Sequence, residues 1–305
     1  MLKNALFLLT VILIFTVSCQ KATYVKSGDN GQLTGYRMEI GADTFNYKFF
    51  YNSDDKIASI MYRKNNEQYK NLWHIRYDSN EILMMCEESS ASIIIRDTLR
   101  ITIDGSNKVT KRIQSHFYQD QSLANATISR THETNYYQYD AAGLIIKEIR
   151  RSSDSTYYYL GTGSLVGGRS TEVLDYTNSN GKIVSISQQS RDTSISGNVQ
   201  IRETIVTFDY EKAYANKTDF SNEATLSPIH IFFPYPMDNQ YTHLPEKINF
   251  NVVKKDKNGI VTSSSSYSYL YDFSYDSTGH IIGKTTSNTQ LQGPAPAKWT
   301  YYYRK

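Results

Sequence analysis

The residues able to do chemistry are scattered along this chain. Its six histidines are His74, His116, His132, His230, His243 and His280. None stands at ligand spacing from another His, Cys or carboxylate, and no H-E-x-x-H motif occurs, so the residues point to no metal. Gly161-Thr-Gly-Ser-Leu-Val-Gly-Gly168 has the glycines of a phosphate cradle. It lacks the G-K-[ST] ending and reads as a hairpin tip. Asp256-Lys-Asn-Gly259 holds a fragment of calcium-loop chemistry without a terminal bidentate Glu, and reads as a turn. No G-x-S-x-G nucleophile motif is present. No catalytic residue and no cofactor is therefore assigned. Asp97 lies on an otherwise apolar strand face. It would serve a hydrolase only if the fold brought a second carboxylate to it, because the separation that matters is spatial.

The two cysteines differ in kind. Cys86, in the apolar stretch LMMCEE, reads as a buried, inert thiol. Cys19 follows a basic start at Lys3 and a run from Ala5 to Val17 that is apolar apart from two threonines. That is the build of a secretory signal. Such a run rises roughly 20 Å as a helix, short of the roughly 30 Å hydrocarbon core. Thr16-Val17-Ser18-Cys19 resembles the lipobox of bacterial lipoproteins, with Thr16 where Leu is usual. The resemblance implies a signal peptide over 1–18, acylation of Cys19 and a polar tether over 19–35. The membrane is then a partner through acyl chains, each contributing roughly 0.8 kcal/mol per buried methylene. The expected location is the outer membrane. Gln20-Lys21 follows the cysteine and the first acid is Asp29, which leaves the periplasmic and cell-surface faces both open.

The formal charge is +3, with basic and acidic residues interspersed. No basic block suits phosphate tracking, so nucleic acid is excluded as a partner. The chain holds 26 tyrosines against 16 glycines and 6 prolines. Tyrosine favours strands and tolerates one wet edge, which suits broad sheets.

These residues must be positioned by strands. Odd positions of Ile93–Ile103 carry Ile93, Ile95, Asp97, Leu99, Ile101 and Ile103. Tyr267, Tyr269, Tyr271, Phe273 and Tyr275 alternate with polar residues, as do Phe45, Tyr47, Phe49 and Tyr51. Period-two patterning gives each strand one apolar and one polar face. The strands are joined by a recurring turn. Tyr139-Asp-Ala-Ala-Gly-Leu-Ile145 and Tyr275-Asp-Ser-Thr-Gly-His-Ile281 are the clearest copies. Tyr51–Ile57, Tyr77–Ile82, Ile103–Val109, Tyr176–Ile183 and Lys255–Ile260 are looser ones. Gly143 and Gly279 can supply positive φ, and the Asp side chain can bond the turn backbone. The expected fold is all-β: a large antiparallel meander of roughly 14–16 strands over 36–305, as a curved open sheet or a barrel.

These Y-D-x-x-G-x-I turns resemble the YD-type repeats of bacterial surface proteins. Together with the Cys19 motif, they make the chain similar to uncharacterised Bacteroidetes lipoprotein domains with a porin-like fold. The resemblance covers most of residues 36–305. It implies a curved antiparallel sheet or barrel, no activity, and no functional residues to carry over. A transmembrane barrel would also suit the alternation. The acylation cysteine and the ending Tyr303-Arg304-Lys305 oppose it.

Residues 213–245 interrupt the meander with Pro228, Pro234, Pro236 and Pro245. Proline removes a ladder donor, so this is a loop or an edge. This apolar segment is either a plug tucked over an open end of the sheet or a loop exposed for a partner. If there is a ligand site, Phe232, Phe233, Tyr235 and Tyr241 form its wall, and Trp73 and Trp299 are candidates for stacking on sugar rings. The expected function is non-enzymatic: an envelope protein that binds a glycan, lipid or protein. The alternative is an envelope hydrolase whose carboxylates converge only in the fold.

Overall fold

The computed structural model describes residues 33–303 other than Ala91, Asn107, 121, 123–126, 159–163, Ala213, 216–242, Thr278 and 289–296. Every regular element among them is a strand. The chain runs as β1 (Leu33–Ile40), β2 (Asp43–Tyr51), β3 (Ile57–Lys64), β4 (Lys70–Tyr77), β5 (Glu81–Ser89) and β6 (Ile93–Ile103). It continues through β7 (Val109–Asp120), β8 (Thr127–Tyr139), β9 (Ile145–Tyr158), β10 (Ser164–Ser179), β11 (Lys182–Ser194) and β12 (Val199–Asp209). After the short β13 (Tyr214–Ala215) and β14 (His243–Leu244) come β15 (Lys247–Lys255), β16 (Val261–Tyr275), β17 (Ile281–Asn288) and β18 (Ala297–Tyr303). Consecutive strands pair antiparallel, β12 pairs with β15, and β1 closes on β18, giving a closed barrel of sixteen strands. β13 and β14 pair apart from it. The first strand starts inside the segment expected to be tether, because Leu33 is 1% exposed and belongs to the core.

The alternation seen in the sequence sorts side chains between the inside and outside of this wall. Ile60, Met84, Leu99, Ile101, Leu174, Ile186, Val206 and Phe250 are buried on the inner face. Their neighbours Lys48, Arg100, Arg151, Asp175, Arg191 and Lys247 fall on the outer one. A membrane-spanning barrel has the reverse polarity, and a lysine or arginine facing lipid at mid-depth costs about 2–4 kcal/mol. The outer face of this wall therefore carries charge among exposed apolar residues such as Ile205, Leu270 and Tyr302, and its core-forming face is turned inward.

One end of the barrel is closed by a repeated device. At each clear turn the Asp side chain accepts a backbone N–H four residues on: Leu144 N to Asp140 Oδ1 and His280 N to Asp276 Oδ1, both 2.9 Å. Asn52 does the same for Lys56 N, and Asp104 for Lys108 N. Gly143, at φ 87°, supplies the left-handed residue the reversal needs. The restart residue then enters the core, as Ile57, Ile145, Ile183 and Ile281 do. The tyrosine ending the second strand of a hairpin donates its hydroxyl to the carbonyl at the start of the first. Tyr51 bonds Leu33 (2.5 Å), Tyr77 bonds Ile57 (2.9 Å), Tyr139 bonds Val109 (2.7 Å), Tyr210 bonds Ile183 (2.8 Å) and Tyr303 bonds Ile281 (2.9 Å). Lys56, Lys108 and Lys182 lie over the rings of Tyr77, Tyr139 and Tyr210 at 5.1–5.4 Å from the centroid. His280 stacks on Tyr303. This accounts for five of the tyrosines: each ring packs against the core at its base and satisfies a backbone carbonyl at its tip.

The Lys255–Ile260 turn, grouped with the others by its sequence, sits at the opposite end. It makes the same bonds, Ile260 N to Asp256 Oδ1 at 2.9 Å and Gly259 N to the Asp256 carbonyl at 3.1 Å. Its restart residue Ile260 is nevertheless 63% exposed, because no core lies beneath it.

The opposite end is an uneven rim. β3 and β4 are 8 residues long, whereas β8 and β11 are 13, β9 is 14 and β10 is 16. Eight further residues extend a strand by about 25 Å. One side of the barrel, β7 to β11, thus rises as a tall wall past the buried layer, with both its faces reaching water.

Candidate functional site

Between the apolar layer and the rim, the inner face carries charge. Arg112, Asn135, Arg150, Glu172, Ser190 and Arg202 are successive cross-strand partners from β7 to β12. Glu148, 1% exposed, accepts two bonds from Arg150, Nε to Oε1 at 2.8 Å and Nη2 to Oε2 at 3.0 Å. The Tyr176 hydroxyl donates to Glu148 Oε2 at 2.9 Å. Arg150 Nη1 reaches Glu172 Oε2 at 3.0 Å, and Gln188 donates to the other Glu172 oxygen. Burial disfavours the Arg150 charge, but the Glu148 carboxylate outweighs it and holds the guanidinium pKa above its ordinary value. Burial raises the Tyr176 phenol well above its usual range, and the Glu148 charge adds to it. The phenol therefore stays protonated and remains a donor. With both carboxylates clamped on one guanidinium, Glu148 and Glu172 form a belt that holds the wall together and are poorly placed for proton transfer.

Above the belt, on β9 to β12, an inner cleft of about 650 Å³ is lined by Asp154, Gly168, Ser170, Asp192, Ser194, Asn198 and Gln200, among others. Ser170 Oγ donates to Asp192 Oδ1 at 2.5 Å, and Arg202 Nη2 lies 3.6 Å from Asp192 Oδ2. Asp154 and Asp192 are the carboxylates that the fold brings to one cleft. They stand two strands and two residues apart, about 12 Å between Cα atoms by standard strand spacing. Sequence reasoning missed both, because only the register of three strands places them together. The glycine run gave a trace of the site. Gly167 and Gly168 lie within β10 rather than in a hairpin tip. A Cβ on Gly167 would stand 2.2 Å from the Asp154 carbonyl oxygen, and one on Gly168 2.6 Å from that of Thr193. The glycines let β9 and β11 close tightly on β10.

Asp97 does face inward, as its strand pattern indicated, but it is bound. His116 Nδ1 lies 2.5 Å from Asp97 Oδ1, on the neighbouring strand. Cys86 pairs with Asp97 from the other side. Cys86 is half-buried rather than buried, and burial, then the charges of Asp97 and Glu88, push its thiol up, which disfavours the reactive thiolate. The residues directly opposite Asp97 are Cys86 on β5 and His116 on β7. Glu88, two residues on from Cys86 on the same face, is tied to Lys70 at 2.8 Å, and among the described residues no three His, Cys, Asp or Glu side chains converge on a common point.

Trp73 and Trp299 both face inward and pack against the core. Trp299 is covered: Lys284, 5% exposed, sits with its ammonium 3.8 Å above the ring. Cys19, Phe232, Phe233, Tyr235 and Tyr241 lie outside the described residues. The base of the 213–245 segment is described, and it belongs to the turn end. Leu244 is fully buried, and the Tyr214 ring packs on Phe273 and Tyr275. Burial and the neighbouring Tyr214 push the Tyr275 phenol up to about 12. The two tryptophans and this segment's base are thus parts of the apolar layer, away from the cleft on the tall wall.

No protein-family model matches the chain, and no curated protein matches it. Two solved structures are similar to it. One is a porin-like protein from Bacteroides vulgatus, 12% identical, with a TM-score of 0.49 over 90% of this chain and 99% of that one. The other is a porin-like protein from Bacteroides uniformis, 10% identical, with a TM-score of 0.44 over the same shares.

Proposed function

We propose that this chain is a non-enzymatic envelope protein. Its barrel stands in water on an acyl anchor at Cys19, and it binds a hydroxyl-rich ligand, a glycan, in the inner cleft of the tall wall. The composition of that cleft carries the reading. Ser170, Ser194, Asn198, Gln200, Asp154 and Asp192 offer donors and acceptors at close spacing, as a polyol requires. The apolar layer below is filled by the protein's own side chains, which disfavours a lipid chain as the ligand. The charged outer face supports tethering over insertion, and the Cys19 motif supplies the tether.

Two measurements test the reading. The full chain, expressed in a diderm bacterium with labelled fatty acid, is expected to take up label and to lose it in Cys19→Ala. Absence of label in the parent chain would remove the anchor. A neutral-oligosaccharide array probed with the full chain is expected to give hits that Asp192→Asn weakens about tenfold, the loss of a charged hydrogen bond. An empty array would remove the glycan, and release of new reducing ends from a bound oligosaccharide would convert the reading to a hydrolase acting through Asp154 and Asp192.

A further inference from the structure

The outer side of the same wall is different in charge. Arg130, Arg151, Arg169 and Arg191, on β8 to β11, all fall on the outer face, and none has a carboxylate partner among the described residues. Their cross-strand neighbours are neutral and mostly hydroxyls: Arg130 opposes Ser155 and Phe117, Arg169 opposes Ser153 and Thr193, Arg151 opposes Thr171 and Thr134, and Arg191 opposes Thr171 and Ile201. This surface is concave at the level of Arg130 and Arg169, where it encloses about 920 Å³. Arg96 borders the concavity and is already held by Glu87 at 3.2 Å. Ser115 Oγ and His132 Nδ1 lie 3.0 Å apart on its floor. The single carboxylate among its lining residues is Asp154, which alternation assigns to the other face.

We infer that this concavity binds an anionic oligosaccharide through its sulfate or carboxylate groups, with Arg130 and Arg169 as the paired cations. Charge complementarity selects the anion: uncompensated guanidiniums set among neutral hydroxyls attract an oxyanion and repel nothing the sugar carries. By standard strand spacing the two Cα atoms stand about 12 Å apart, a gap their side chains can share across one or two sugar units. Shape selects the class of ligand. A flat bilayer cannot follow a concave wall. A nucleic acid would need rings on which to stack its bases. Apart from the imidazoles, Phe117 is the one ring lining the concavity, and Arg130 covers it at 5.7 Å. The site lies on the opposite face of the wall from the inner cleft, with Arg169 and Thr193 bordering both, and it goes beyond the neutral glycan proposed there.

The full chain is titrated in parallel with a sulfated hexasaccharide, a polyuronate hexasaccharide, a neutral hexasaccharide, single-stranded DNA and vesicles rich in anionic phospholipid. Binding of at least one acidic hexasaccharide is expected, weakening severalfold between about 50 and 200 mM salt. Which one binds identifies the anion as sulfate or carboxylate. The Arg130→Ala/Arg169→Ala double variant is expected to lose at least tenfold in affinity, while Arg37→Ala on β1 leaves it unchanged. Asp192→Asn leaves it unchanged too, which separates this site from the inner cleft. The inference fails if neither acidic hexasaccharide binds, or if the double variant folds, by its circular dichroism, and binds as before. Preference for DNA or for vesicles over both acidic hexasaccharides overturns it equally.

Discussion

At the turn end, Tyr139 gives its hydroxyl to Val109, Lys108 covers its ring, and Ile145 beyond the turn is buried. At the top of β10, Arg169 and Thr171 face water on one side while Gly168 and Ser170 face the cleft on the other. Both regions are alternating antiparallel strands of one continuous sheet. The difference lies in what the inner face meets. At the turn end it meets other side chains, so polar groups there must be paired with a definite partner. At the tall wall it meets solvent, so Asp154 can stay available to a ligand there, as Arg169 can on the outer face. The Lys255–Ile260 turn is an internal control. It makes the hydrogen bonds of the turn end but lies at the rim, and its isoleucine is left exposed. Turn chemistry reverses the chain at either end; the core beneath decides whether the restart residue is held.

The comparison can be broken most severely at the boundary between the two regions. Glu148→Ala strands the partly buried Arg150 without its bidentate partner, and about 3–5 kcal/mol of stability should disappear, the usual cost of breaking a buried pair. A urea midpoint within error of the parent would show that the belt does not hold the wall. A smaller effect is expected from Tyr139→Phe or Tyr210→Phe, which leave the ring and remove one bond to a backbone carbonyl. Each should cost about 1 kcal/mol. Thr171→Val, at a water-facing position of β10, should be neutral within about 0.5 kcal/mol. Equal losses at the two ends would erase the distinction drawn between them.

The mildest probe is pH. The backbone N–H groups of Lys108 and Ser106 hold the Asp104 carboxylate below its ordinary value. A lowered folded pKa makes the turn's contribution complete above the unfolded value, about pH 4, and loses it as pH falls through the folded one. The thermal midpoint should therefore drop somewhat more steeply in acid for the parent than for Asp104→Asn. The buried phenols act in the opposite direction. Tyr36, Tyr137 and Tyr176 have raised pKa values through burial, so their contribution is complete below the unfolded value, about pH 10, and is lost as the pH rises from there through the raised values. Absorbance at the phenolate band should lag behind that of free tyrosine and appear together with unfolding.

The turn end was legible in the sequence because its signals are local. Tyr139-Asp-Ala-Ala-Gly-Leu-Ile145 contains the capping side chain, the left-handed glycine and the buried restart within seven residues. An all-β meander of roughly 14–16 strands, as an open sheet or a barrel, follows from counting such units. Closure at sixteen depends on the pairing of β1 with β18, which no local signal carries. The tall wall was illegible for the complementary reason. Arg130 and Arg169 lie on different strands, and their relation depends on the register of β8, β9 and β10. The same holds for Asp154 and Asp192. Aromatic residues do not mark the cleft. Trp299 carries the surface of a sugar platform, but here Lys284 occupies its face. Gly167 and Gly168 resembled a loop because glycine is common in loops, whereas here they admit close strand contact.

Each tyrosine closure joins the two strands of one hairpin and reaches no further: Tyr77 to the start of β3, Tyr303 to the start of β17. The hairpin is thus a nearly self-sufficient cassette, sealed at its base before it meets its neighbours. A gene assembled from such cassettes can gain or lose one by duplication or deletion, changing the barrel's girth by two strands without unsealing the rest. Asn178 illustrates the tolerance of the arrangement, since its amide gives the Ile145 carbonyl the bond that tyrosine supplies elsewhere. Copy number, more than the sequence of any one copy, then becomes the heritable variable that sets how wide the barrel is.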